Sequence, residues 1–257
     1  MPKAAEIAAY LDALLHTTEI ADYPSALNGL QLDSRGDVKR VAAAVDFSSY
    51  TVEEAIGLGA NLLIVHHGMY WGGLQAITGP AYTRLSRLLA HDVAVYASHL
   101  PLDAHPTLGN NVLLARELGL EPQGGFARFK TMDIGVSGAA NVETELLVER
   151  ARSFAARHKG SVITTPYPAG RRTMRWGLCT GAGAETETIQ EAVTSGIDTM
   201  IVGEGPHHTA VLARDLGIVI VYAGHYATET LGVHALGKRL EQEFGVAASF
   251  IDAPTGL

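Results

Sequence analysis

Apolar residues recur every four positions at Ile7, Leu11 and Leu15 in the opening segment MPKAAEIAAYLDALLH, with Glu6 and Asp12 set among them. That spacing predicts an amphipathic helix, and carboxylates inside the apolar pattern do not read as a secretory leader. Beyond it the pattern changes. VKRVAAAVDF is a short apolar run ending in a carboxylate, and SYTVEEAIGLGA has the form of a capped helix stopped by glycine. NLLIVHH is a buried strand that ends, against expectation for a core segment, in His66 and His67. PAYTRLSRLLAHD, VAVYASHL and TLGNNVLLARELGL continue as helix, strand and helix. Such alternation predicts an α/β fold with a largely parallel sheet.

The stretch from Glu121 to Arg175 is less regular. It holds Gly124-Gly125, Gly138, Gly160, Pro166 and Pro168, around a helical ETELLVERARSFAARHKG. A junction is expected at Gly124-Gly125, giving halves 1–124 and 125–257. The chain then repeats itself. TVEEAIGLGANLLIV, from Thr51, aligns without a gap on TIQEAVTSGIDTMIV, from Thr188, pairing Glu54 with Glu191, Gly59 with Gly196 and Val65 with Val202. Further on, VYASHLPLD matches VYAGHYATE, so that His99 meets His225 and Asp103 meets Glu229. Two matches in the same order predict two related α/β halves facing each other.

Composition narrows the function. With 257 residues, 47% hydrophobic and only 18% charged, the chain has ample material for a core, and some apolar surface is available for further copies of itself. A net charge of -8 without any Lys/Arg-rich run argues against nucleic acid as a partner. The single cysteine, Cys179, cannot form an internal disulfide and suits a reducing compartment. No apolar run approaches membrane-spanning length, so a soluble cytoplasmic protein is expected.

The polar residues at strand ends carry the candidate chemistry. His66-His67 close one strand and Gly203-Glu204 close its repeat, while His99 with Asp103 and His225 with Glu229 follow later strands. In parallel α/β sheets the carboxyl ends of strands are where ligands bind. Imidazole nitrogen and carboxylate oxygen are the donor mix for Zn, Fe, Mn, Ni or Co. Adjacent histidines on an extended segment point to opposite sides, which suits two neighbouring ions better than one. His225 and Glu229, four apart, share a face if the segment is helical. The candidate ligands are therefore His66, His67, Asp103, His225 and Glu229. Glu204, His207 and His99 are candidates for moving protons, and His105 and His208 stand near them in sequence. Met69, Tyr70 and Trp71 are expected to form a wall or core.

LLIVHHGMYW, SHLPLDAHPTLGNNVLLARELGL, VGEGPHH and GHYATETLGVHAL, with NGLQLD from Asn28 to Asp33, together resemble the Ngg-interacting-factor-like family, whose members are catalogued as GTP cyclohydrolase type 2 homologues. The resemblance runs in order over nearly the whole chain. It implies a two-metal site held by His66, His67, Asp103, His225 and Glu229, with Glu229 as the bridge, in a cleft between the two α/β halves. It also implies toroidal homohexamers and a small-molecule substrate, by the family label a guanine nucleotide. Gly68 departs from the proline that family members often carry after the histidine pair. The expected activity is metal-dependent hydrolysis that opens a purine ring. A dinuclear phosphoesterase and a non-catalytic metal-binding scaffold are the alternatives the sequence leaves open, since it holds no P-loop or other nucleotide fingerprint.

Overall fold

The computed structural model describes residues 1–256. It divides into two compact units, Met1–Leu102 with Gly232–Ala253, and Asp103–Leu231 with residues 254–256. The first unit opens with α1 (Ala4–Leu15), whose Ile7, Leu11 and Leu15 are buried as their spacing predicts. It continues through β1 (Gly29–Leu32), β2 (Arg40–Asp46), α2 (Ser49–Gly57), β3 (Leu62–His67), α3 (Gly79–Ala90) and β4 (Ala94–Ala97). β2, β3 and β4 pair in parallel, and β1 lies antiparallel on the outer edge of β4. β3 is central and all six of its residues are buried, which is why its apolar run does not alternate. Helix α2 starts cleanly because the Ser48 hydroxyl accepts from Thr51 N while the Thr51 hydroxyl accepts from Ser48 N. Val52 and Ala55 from α2 and Leu88 from α3 pack with Ala42, Ala44, Leu63, Val65 and Val95 in one core layer. Tyr96 of β4 instead donates its hydroxyl to Asp12 of α1 at 2.8 Å, tying that helix to the sheet.

The chain leaves the first unit within α4 (Leu100–Asp103) and builds the second. This contains α5 (Asn110–Glu117), β5 (Gly124–Phe129), β6 (Met132–Glu143), α6 (Thr144–Arg157), β7 (Ile163–Thr164), β8 (Arg172–Cys179), α7 (Thr186–Thr194), β9 (Thr199–Val202), α8 (His207–Asp215), β10 (Val219–Tyr222) and α9 (His225–Thr228). Its six strands lie in the order β5-β6-β8-β9-β10-β7. The irregular stretch after Glu121 is thus a hairpin, β5 with β6, followed by a helix. Gly135 in β6 is required by close approach, because a Cβ there would overlap the Leu178 carbonyl of β8.

The chain then returns. α10 (Thr230–Phe244) leads to β11 (Ala247–Phe250), which pairs in parallel with β2 and completes the order β1-β4-β3-β2-β11. The repeat read from the sequence has a topological counterpart. β2-α2-β3-α3-β4 and β8-α7-β9-α8-β10 follow the same path, and each set of three strands is parallel and neighbours in sequence order. The chain is α/β with two sheets. Among the described residues no helix is long and apolar enough to cross a membrane.

Candidate metal centre

In the first unit, the strand ends bring three imidazoles together. His66, His67 and His99 each offer a ring nitrogen, and these atoms lie within 4.8 Å of one another. All three residues are buried. The expectation that adjacent histidines point to opposite sides fails here. The His66 and His67 ring centroids are 4.8 Å apart, and His66 and His99 are 5.0 Å apart. The physical reason lies in neighbouring segments of the sheet. β3 stops at His67, and each ring is turned by its own acceptor instead of by the pleat. His66 Nδ1 donates to the Ser98 carbonyl at 2.9 Å, and His67 Nδ1 donates to the Asp46 carboxylate at 2.8 Å. With Nδ1 carrying the proton, Nε2 presents its lone pair. This backing by a carbonyl or carboxylate is the usual support for a metal-binding histidine.

His99 is held in the same way. Its Nδ1 donates to Asp22 Oδ1 at 2.9 Å, and its backbone N–H donates to Asn28 Oδ1 at 2.7 Å. Asn28 Nδ2 in turn donates to Asp22 Oδ2. Burial would raise the Asp22 carboxyl, but the hydrogen bond and charge of His99 outweigh it and hold the group below its ordinary range. Trp71 lies edge-on to His99, ring centroids 4.4 Å apart, and 4.7 Å from His67. It is therefore a cover over the imidazoles. Gly68 leaves room for this arrangement, since a Cβ there would overlap the Gln31 amide and meet Ala97 Cβ at 2.7 Å. Gln31 Oε1 accepts from Met69 N at 2.7 Å, fixing the turn after the histidine pair.

In the second unit, His225 opens α9 between two carboxylates. Its Nδ1 donates to Glu204 Oε1 at 2.8 Å, and its Nε2 is 3.2 Å from Glu229 Oε2. The i, i+4 spacing thus does put His225 and Glu229 on one face. Burial would lower the His225 pKa, but hydrogen bonds and charge from Glu229 and Glu204 prevail and push it up to about 9. Two carboxylates around one imidazole favour positive charge there, which a proton or a divalent cation supplies. Gly181 closes against this group: a Cβ on it would overlap Glu229 Oε1, and its φ of 62° is the left-handed region that favours glycine.

The remaining predicted residues fall as follows. Asp103 is buried in the second unit and accepts from Asn110 Nδ2 at 2.8 Å. Glu204 and His207 line one cavity of about 290 Å³ in that unit. His208, exposed beside His207 at the start of α8, is not among its lining residues. His105 accepts at Nδ1 from Leu108 N and Thr107 N, at 3.0 and 3.2 Å, which shapes its own loop. The sequence reading missed the supports Asp22, Asp46, Ser98 and Asn110. Asp46 left a trace, as the carboxylate ending an apolar run. Asp22 left none, because it sits in a loop without periodicity.

The fold and the site define the class: an α/β protein of two sheets with buried histidines and carboxylates gathered at strand ends. Within it, the chain belongs to the DUF34/NIF3 (NGG1p interacting factor 3) family, which it matches over residues 2–255. A Deinococcus radiodurans protein named GTP cyclohydrolase 1 type 2 homolog is 40% identical over 242 residues, covering 93% of this chain and 89% of that one. A Pyrococcus abyssi protein of the same name is 39% identical over 253 residues, 98% of each chain. Among solved structures, TTHA1606 from Thermus thermophilus has a TM-score of 0.86 at 32% identity, over 99% of this chain and 100% of that one.

Proposed function

We propose that this protein is a divalent-metal-dependent hydrolase that opens the imidazole ring of a purine nucleotide. It holds two ions, of Zn, Fe, Mn, Ni or Co, through His66, His67, Asp103, His225 and Glu229. The observation that carries the reading is the convergence of His66 and His67 in the first unit, each backed through Nδ1, with His99 beside them. The pairing of His225 with Glu229 in the second supports it, as does the name its relatives bear. When bound, such ions polarise an electrophile and lower the pKa of a bound water. The chain's own residues do the rest. Asp46, the Ser98 carbonyl and Glu204 orient His67, His66 and His225, so Glu204 is a positioning residue. His99, steadied by Asp22, and His207 move protons as water adds at the purine C8 and the one-carbon unit leaves as formate. Trp71 limits water above the imidazoles.

We further propose a closed homo-oligomer, a hexamer, in the cytoplasm. Support comes from the low charge content and from exposed apolar side chains such as Leu74, Ile77, Tyr82 and Leu89. Light scattering reads the assembly directly: a mass well above 27.2 kDa supports it and a monomer at every dilution overturns it. For the activity, the test is formate release from GTP by metal-loaded protein. Formate that disappears on chelation and in His207→Ala supports the reading; no formate from fully loaded protein overturns it.

A further inference from the structure

The second unit holds a cavity of about 290 Å³ that no assigned ligand accounts for. Tyr222 of β10 and Ile163 of β7 line it, and they are direct cross-strand partners in an antiparallel pair. Directly opposed residues project from the same face of a sheet, so the two side chains make one continuous apolar surface. Pro206 and Ala210, at the start of α8, supply further apolar lining. The polar side chains are few: Ser161, Glu204, His207 and the hydroxyl of Tyr222. Among the described residues that line it there is no Lys or Arg. A cavity with a carboxylate and no Lys or Arg disfavours a phosphate and favours a neutral ring that donates a hydrogen bond. Its volume lies at the lower end of small-molecule sites, roughly 300–1,000 Å³, which suits a ring system and not an entire nucleotide.

Glu204 connects this cavity to the candidate metal centre. One of its oxygens, Oε1, accepts from His225 Nδ1. The other remains an acceptor, because an ionised carboxylate has lone pairs on both oxygens. We propose that this cavity is the pocket for the substrate's flat heteroaromatic ring, and that it selects rings with a lactam edge, an N–H beside a C=O. The N–H donates to Glu204, which a ring with an unprotonated nitrogen at that edge cannot do. The apolar surface of Tyr222 and Ile163 takes the face of the ring, as aromatic and aliphatic side chains do in ligand pockets. The phosphate-bearing end lies outside. This inference rests on the reading of the protein as acting on a purine nucleotide, and it names which part of that substrate this unit recognises and through which residues.

The test is isothermal titration of the full-length protein with inosine, which carries the lactam edge, and with adenosine, which does not. It is run on metal-loaded and on chelator-treated protein, with metal content measured in each sample. Ala210→Phe and Ile163→Trp fill the cavity from two different elements, and Ile163 is 68% exposed, so its replacement leaves the core intact. Saturable inosine binding is expected, with adenosine weaker by at least about tenfold for want of the matching edge. Each filling variant should weaken inosine by a similar factor while metal content stays unchanged. Absence of saturable inosine binding, equal binding of adenosine, or inosine binding undisturbed in both variants overturns the proposal. Loss of the metal claim is read separately: a chain that retains no metal yet binds inosine through this cavity leaves the pocket standing and removes the hydrolase reading.

Discussion

The two units run the same strand–helix path and finish it with different chemistry. Ala44 pairs with Val65 in the first, and Cys179 pairs with Val202 in the second. Counting onward from those pairs, Asp46 corresponds to Gly181, His66 to Gly203 and His67 to Glu204. In the first unit a carboxylate at the end of β2 backs a histidine at the end of β3. In the second, glycine stands where that carboxylate was, and the carboxylate, Glu204, follows β9 and backs His225, which follows β10. The first unit therefore presents imidazoles, and the second presents an imidazole between carboxylates. A parallel sheet fixes where strand ends lie but not what they carry. Moving one carboxylate by one strand changes a nitrogen-rich site into an anionic one, while the core beneath stays aliphatic.

The largest effect is expected where the second unit is most anionic. Glu229→Ala removes one of the two carboxylates on His225 and should release most of the bound metal, as read by elemental analysis. Undiminished metal would take Glu229 out of the ligand set. Next come the backing carboxylates, which the comparison makes equivalent in role. Asp46→Asn and Glu204→Gln should each weaken metal affinity by roughly 10–100-fold without unfolding the chain. A change in only one of them would break the equivalence. Third is the position where the units differ. Gly181→Ala forces an L-residue into φ 62° and against Glu229, so a loss of about 1–3 kcal/mol in unfolding free energy is expected, with disturbed metal retention. Asp46→Ala at the corresponding place should leave backbone stability nearly unchanged and affect metal alone. The smallest effect is acid sensitivity at His99. Asp22 is held below its ordinary value of 3.8, so its contribution is complete above that value and is lost as pH falls through the lowered one. Asp22→Asn should flatten the acid limb of a stability–pH profile; an unchanged limb would remove that clamp.

Much of this contrast was legible in the sequence, because both repeats carry it in short local segments. The run into His66-His67, the pairing of His99 with His225 and the fourfold spacing to Glu229 are patterns within single strands and turns. What was not legible is non-local. The His66 and His67 rings converge because Ser98, which precedes His99, and Asp46, on the neighbouring strand, turn them, and no period along β3 encodes that. Asp22 reaches His99 from a loop 77 residues earlier in the chain. The hairpin of β5 and β6 was hidden because Gly124, Gly125, Gly135 and Gly138 interrupt the alternation by which strands are recognised. The return of β11 to pair with β2 depends on an edge left open about 200 residues earlier, and VAASF says nothing of its partner.

The most direct test of the central claim, that these histidines and carboxylates hold metal, is the metal stoichiometry of the wild-type chain. It would be reloaded with zinc or manganese at neutral pH, freed of excess ion and measured by elemental analysis. Retention of about two divalent ions per chain is expected, the number a two-metal site requires. A wild-type chain, folded by circular dichroism, that retains none would contradict it.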